Sequence, residues 1–203
     1  MIVELNENDI CLLRKVLSES AEKGDFMKGE RGGEQFYNLA NNYTLEDAKY
    51  YFASAIIGEK AKDKVYLKDW WEYQLPASRK KQFEKTYNQF EAYRNGAQIK
   101  LFRGLVVKND KEVDMNKAGE CWSFSNAKAR VWAEDIWDKI VYKHIMDDSE
   151  LEMSRKIVFT ASTELDNCRL PYSLWLAGRF ERPEWEVRIK DETKVNIITK
   201  KEV

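Results

Sequence analysis

The chain has 203 residues, 43% of them hydrophobic and 34% charged, which excludes a disordered, collagen-like or membrane-embedded chain and is ample for a hydrophobic core. Its 34 Lys and Arg nearly cancel 35 Asp and Glu, so no bulk positive charge draws it onto nucleic acid or anionic lipid. A single histidine, His144, and three widely spaced cysteines, Cys11, Cys121 and Cys168, argue against imidazole-based hydrolysis, a zinc site and a disulfide framework. The opening MIVELNENDICLLRKVL lacks a basic stretch followed by an apolar one, so a cytoplasmic protein with free thiols, no metal and no membrane partner is expected.

From about residue 6 to residue 95 the pattern is helical. DICLLRKVLSESAEKG, TLEDAKYYFASAIIGEKA and ASRKKQFEKTYNQFEAYRNG carry apolar residues at three- and four-residue spacing. Thr44 followed by Glu46 and Asp47 marks a helix start, and Asn95-Gly96 a stop. Phe83, Tyr87, Phe90 and Tyr93 fall on one helix face, and they and the Trp70-Trp71 pair are read as packing residues.

Beyond Asn95-Gly96 the period changes. AQIKLFRGLVV alternates as a strand, and CWSFS reads as a second. NAKARVWAEDIWDKIVYKH reads as an amphipathic helix with Ser125 as N-cap and His144 near its end. SRKIVFTAST follows, then a loop-rich stretch DNCRLPYSLWLAGRFERP. EWEVRIKDETKVNIITKKEV reads as two strands joined by a short polar turn. Helices first and then strands around one helix predict an α+β chain. Residues 1–96 form a helical N-terminal subdomain, and 97–203 a mixed, mainly antiparallel β-core.

Three short motifs carry chemistry. On the first strand Ile99, Leu101, Arg103, Leu105 and Val107 share a face, so Arg103 interrupts an apolar row. Its guanidinium there needs either a structural carboxylate or a ligand phosphate. Gly104 beside it permits close approach of a backbone or a ligand. In CWSFSN, Ser123 and Ser125 share one face and Trp122 and Phe124 the other; the two hydroxyls form either a polar pair or a solvated strand end with a helix cap. In RPEWEVRIK, Trp185, Val187 and Ile189 form an apolar face, so Glu184 and Glu186 project together from the opposite one, about 7 Å apart, with Arg188 beyond them. A polar sheet edge produces the same pattern.

In combination and in this order, Arg103-Gly104, Ser123-Phe124-Ser125 and Glu184-Trp185-Glu186 resemble the arginine–serine–glutamate class of mono-ADP-ribosyltransferases. EWEVRIKDETKVNIITK is similar to that family's carboxylate strand, turn and final strand, and the likeness spans about residues 97–203. The helical front followed by such a half is similar to small bacteriophage enzymes that modify proteins of the infected cell. Phe124 departs from the threonine common at that position, and the aromatic and basic stretch before Glu184 is unusual.

The resemblance implies an NAD-binding core of the ADP-ribosyltransferase type, with NAD as co-substrate and a host protein as acceptor. Glu186 would stabilise the cation developing on the ribose, and Ser123 would hold Glu186. Ser125 would support the ribose, while Arg103 and the Gly104 backbone would grip the dinucleotide. Glu184 would orient and help deprotonate an acceptor arginine. Trp175, Phe180 and Arg182 are candidate target-recognition residues. The alternatives are an NAD glycohydrolase and a non-enzymatic interaction module or inhibitor. Nucleic acid is not expected as a partner.

Overall fold

The computed structural model describes residues 33–94, 98–107, 119–134, 149, 154–180 and 185–203. The expected helix over DICLLRKVLSESAEKG, the Asn95-Gly96 stop, Cys11, His144, Arg182 and Glu184 lie outside the described residues.

After a helical segment at residues 33–37 comes α1, Leu45–Ile57. Its start is the one expected: the Thr44 hydroxyl accepts from the Asp47 amide, and the Asp47 carboxylate accepts from the Thr44 amide, a reciprocal capping box. Gly58, at φ 62°, closes the helix. Helix α2, Lys64–Asp69, is capped by Asp63 and runs into a π-helical turn, Trp70–Gln74. Helix α3, Ala77–Glu91, follows Pro76, and Phe83 and Phe90 on its aromatic stripe are buried.

The second half supplies β1 (Ile99–Val107), β2 (Cys121–Ser123), α4 (Asn126–Glu134), β3 (Arg155–Thr163), α5 (Leu170–Arg179), β4 (Glu186–Arg188) and β5 (Asn196–Glu202). Together they make an α+β fold with one five-stranded sheet in the order β4-β2-β1-β3-β5. Every pairing among the described strands is antiparallel, so the expected mixed pairing is absent from them.

Two expectations are corrected. The stretch read as loop-rich contains α5, in which every residue from Leu170 to Leu176 is buried. Pro171 and Gly178 read as turn residues in the sequence, but Pro171 lies in the first turn of the helix, where its missing N–H costs nothing, and Gly178 is where α1 packs against it. The last two strands do follow one another in the chain, but they occupy opposite edges of the sheet. Residues 189–195 cross the sheet end between them. Four extended residues at about 3.3 Å and the three of the 3₁₀ turn Glu192–Lys194 at about 2 Å reach about 19 Å, matching four strand spacings of about 4.8 Å.

The sheet is covered unequally. One face carries Ile99, Leu101, Phe159, Trp122 and Val187, and α1, α3 and α5 bury it with Phe52, Phe83, Phe90, Leu170 and Leu174 in a single cluster. The helical portion and the β-core therefore share one core. The other face is met by α4, where Ala129 and Ala133 pack on Val158 and Phe102. This contact is close enough that a Cβ at Gly104 would overlap the Ala129 carbonyl oxygen. Likewise, α1 and α5 cross so tightly that a Cβ at Gly178 would overlap the Phe52 carbonyl.

Candidate active site at the β1, β2 and β4 strands

The site is built where three strands meet. β1 pairs with β3 along nine register positions but with β2 through one, Phe102 with Ser123. β2 then pairs with β4, setting Cys121 against Arg188, Trp122 against Val187 and Ser123 against Glu186. Directly opposed residues on antiparallel strands project from the same face, so the Ser123 hydroxyl and the Glu186 carboxylate are neighbours.

The serine turn is ordered by its own hydroxyls. The Ser123 Oγ accepts from the Ser125 amide at 3.0 Å, and the Ser125 Oγ accepts from the Lys128 amide at 3.3 Å. Ser125 is thus the N-cap of α4, as expected. Phe124 points away from both serines. Its ring stacks on Tyr93, 5.8 Å between centroids and 8° between planes, and lies 5.2 Å from that of Phe90.

Glu186 forms an ion pair with Arg188, its Oε1 lying 2.7 Å from the Arg188 Nε. The two side chains are 21% and 24% exposed, shielded but reachable from solvent. Burial works against the Arg188 charge, but the Glu186 carboxylate leads the attractions that hold the guanidinium above its ordinary range. Desolvation of the Cys121 sulfur pushes its thiol up, although the residue as a whole is exposed. Glu186 adds to that rise, and Arg188 and Arg103 oppose it.

The backbone entering this strand is strained. Trp185 sits at φ 56°, a left-handed conformation that a bulky residue adopts at a cost on the order of 1–3 kcal/mol, and its carbonyl accepts from the Phe124 amide at 3.0 Å. The extended alternation behind the expected 7 Å spacing of Glu184 and Glu186 therefore does not run through Trp185. Glu184 itself is outside the described residues.

Arg103 lies on the opposite sheet face from Ser123, opposite Phe159 on β3. Its Nη1 donates to the Cys121 carbonyl at 2.7 Å, its guanidinium lies against the Gly119 backbone, and it is 6.0 Å from the centre of the Trp122 ring. The Gly119 amide donates to the Glu192 carboxylate at 2.8 Å. Gly104, expected to permit close approach of a backbone or a ligand, admits a backbone: the space where a Cβ would stand is filled by the Ala129 carbonyl of α4.

The target-recognition residues divide. Trp175 is 2% exposed and packs with Phe36, Tyr172 and Leu176, so it is a core residue and not a surface contact. Phe180 is half-buried against the same cluster, and its carbonyl accepts from Gln82 Nε2 at 2.8 Å and from Arg79. Arg182 is outside the described residues.

Other neighbours were not expected. The Tyr37 hydroxyl donates to the Glu120 carboxylate at 2.6 Å, and burial followed by that bond raises the Tyr37 phenol. Arg169 covers the Tyr37 ring at 3.8 Å. These contacts carry the helical front to the edge of β2. They leave no local signal, because Tyr37 and Glu120 are 83 positions apart. A separate polar cleft of about 250 Å³ is lined by Gln98, Thr163, Glu164, Asn167, Lys194 and Asn196, and shares no residue with the site. Among the described residues no group of three His, Cys, Asp or Glu side chains is arranged to hold a metal, and no helix is long and apolar enough to cross a membrane.

Comparison of this chain with protein-family models, with curated proteins and with solved structures finds no match.

Proposed function

We propose that this chain cleaves NAD and transfers its ADP-ribose to a protein acceptor, with arginine as the acceptor side chain. The observation that carries the reading is the strand order β4-β2-β1: the strands bearing Glu186, Ser123 and Arg103 are consecutive neighbours, and Ser123 is the register partner of Glu186. The residues suit a dinucleotide. A shielded carboxylate stands beside a hydroxyl, and the strand next to that hydroxyl carries, on the other sheet face, a guanidinium whose fork suits phosphate oxygens.

NAD brings a leaving group that departs neutral, because its nicotinamide is a cationic pyridinium. No general acid is then required, in keeping with a chain that has one histidine. What the protein must supply is negative charge where the ribose becomes cationic. Glu186 provides it and accepts from the ribose 2′-hydroxyl, while Ser123 flanks the carboxylate and Ser125 fixes the turn. Arg103 binds phosphate. Glu184 takes a proton from the acceptor guanidinium, which is a poor nucleophile while protonated.

The test is incubation of the protein with labelled NAD and a bacterial lysate, followed by mass spectrometry of labelled proteins. Label on arginine is expected, with Glu186→Gln lowering transfer by about 10²-fold or more. Glu184→Ala should abolish arginine labelling while sparing part of the nicotinamide release. Free ADP-ribose without labelled protein would make the chain a glycohydrolase. Absence of nicotinamide release would leave an interaction module.

A further inference from the structure

We propose that Arg188 is the positioning residue of this site, holding the Glu186 carboxylate in place on the sheet face that it shares with Ser123. The proposal rests on the transferase reading above and concerns a residue that none of the three motifs includes.

Three observations carry it. Residues two apart on a strand emerge from the same face, so Arg188 and Glu186 are neighbours by backbone geometry alone. The contact is 2.7 Å, from the Arg188 Nε to the Glu186 Oε1. The Arg188 Nε is buried and its N–H is not aimed at the oxygen, so the pair is held by charge more than by an aligned hydrogen bond.

Arg188 is also anchored from behind. Its amide donates to the Ser173 Oγ at 3.2 Å, and its carbonyl accepts from the Arg169 amide at 2.8 Å. Ser173 is 1% exposed on α5, and its own hydroxyl donates to the Arg169 carbonyl at 2.9 Å. The guanidinium carbon stands 5.8 Å from the centre of the Tyr172 ring. Arg188 is thus tied to a buried helix, and Glu186 is tied to Arg188. A carboxylate that must meet a developing cation gains most from being oriented before the substrate arrives.

A cation beside the carboxylate has an opposing effect, because it offsets part of the negative charge offered to the ribose. The two effects predict opposite signs when Arg188 is replaced. If orientation dominates, the turnover number falls. If neutralisation dominates, it rises.

Nicotinamide release by the full chain is measured over a range of NAD concentrations for the wild type, Arg188→Met and Arg188→Lys, with thermal unfolding followed by circular dichroism. In Arg188→Met, kcat should fall about tenfold with KM for NAD changed less than about threefold, and Arg188→Lys should restore most of the loss. An unchanged or raised kcat in Arg188→Met overturns the proposal, as does a rise in KM alone or failure of Lys to rescue. Should Arg188→Met not fold, Arg188→Gln against Arg188→Lys gives the same comparison. A wild type that releases no nicotinamide overturns the transferase reading and the role together, whereas an active wild type matched by Arg188→Met overturns the role alone.

Discussion

Phe124 stacks on Tyr93 at 8° between ring planes, and the serines on either side of it turn the other way. The middle of the serine motif thus belongs to the shared core of helices and sheet, and the outer two positions order the turn into α4 at the candidate site.

Truncating Phe124 should therefore separate stability from chemistry. Phe124→Ala should lower unfolding stability by about 2 kcal/mol, below the figure for a fully buried ring because Phe124 is half-buried. Nicotinamide release per folded molecule should be retained. Urea denaturation and an activity measurement on the same preparation decide it, and lost activity at unchanged stability would put Phe124 in the site.

Gly104 makes the opposite kind of prediction. As a nucleotide contact, it would lose substrate affinity on gaining a methyl group. As the seat of α4, it would lose stability. Gly104→Ala should cost about 3 kcal/mol or more, because the new Cβ meets backbone that cannot swing aside. A variant that unfolds at the wild-type denaturant midpoint but shows a raised KM for NAD would restore the ligand-contact role.

How much of this was readable from the residues alone depends on the range of the interaction. Helices α1 and α3 announce themselves through the Thr44 cap and the apolar spacing of Phe83 and Phe90, both local. Helix α5 does not, because Pro171 and Gly178 punctuate its sequence like a loop, and only the packed structure shows Pro171 in the first turn and Gly178 against α1. Strand existence was legible at Ile99–Val107 and Glu186–Arg188. Strand partners were not: nothing within EWEVRIKDETKVNIITK says that Val187 pairs with Trp122 while Ile197 pairs with Ala161 across the sheet. For the site, the same-face placement of Glu186 and Arg188 follows from alternation. The facing of Ser123 and Glu186 needs the register of two strands 63 positions apart, and Tyr37 on Glu120 needs the packed helices.

The capping box gives α1 a pH dependence with a definite sign. Bonds from the Thr44 amide and then the Thr44 hydroxyl lower the Asp47 carboxyl below its ordinary value. A depressed folded-state value stabilises above the unfolded value of about 4 and is lost as pH falls through the folded one. Asp47→Asn should be less stable than the wild type by about 0.5 kcal/mol at neutral pH, a small figure because solvent screens the pair. The difference should close on acidification. A gap that persists after Asp47 is protonated would mean that the cap acts through shape rather than charge.

The cysteines report on the site directly. Desolvation raises both described thiols, Cys168 to about 12, but only Cys121 is exposed. In a Cys11→Ser background, an alkylating reagent should leave Cys168 untouched until the chain unfolds. It should modify Cys121 slowly at neutral pH and faster as the pH rises, because the reactive thiolate is scarce below the raised value. Since Cys121 is the register partner of Arg188 and shares its sheet face with Glu186, an adduct on its sulfur crowds that ion pair. Loss of nicotinamide release should track modification of Cys121 one for one, and Cys121→Ala should remain active and become resistant to the reagent. Full modification of Cys121 with undiminished release would move the reaction away from this part of the sheet.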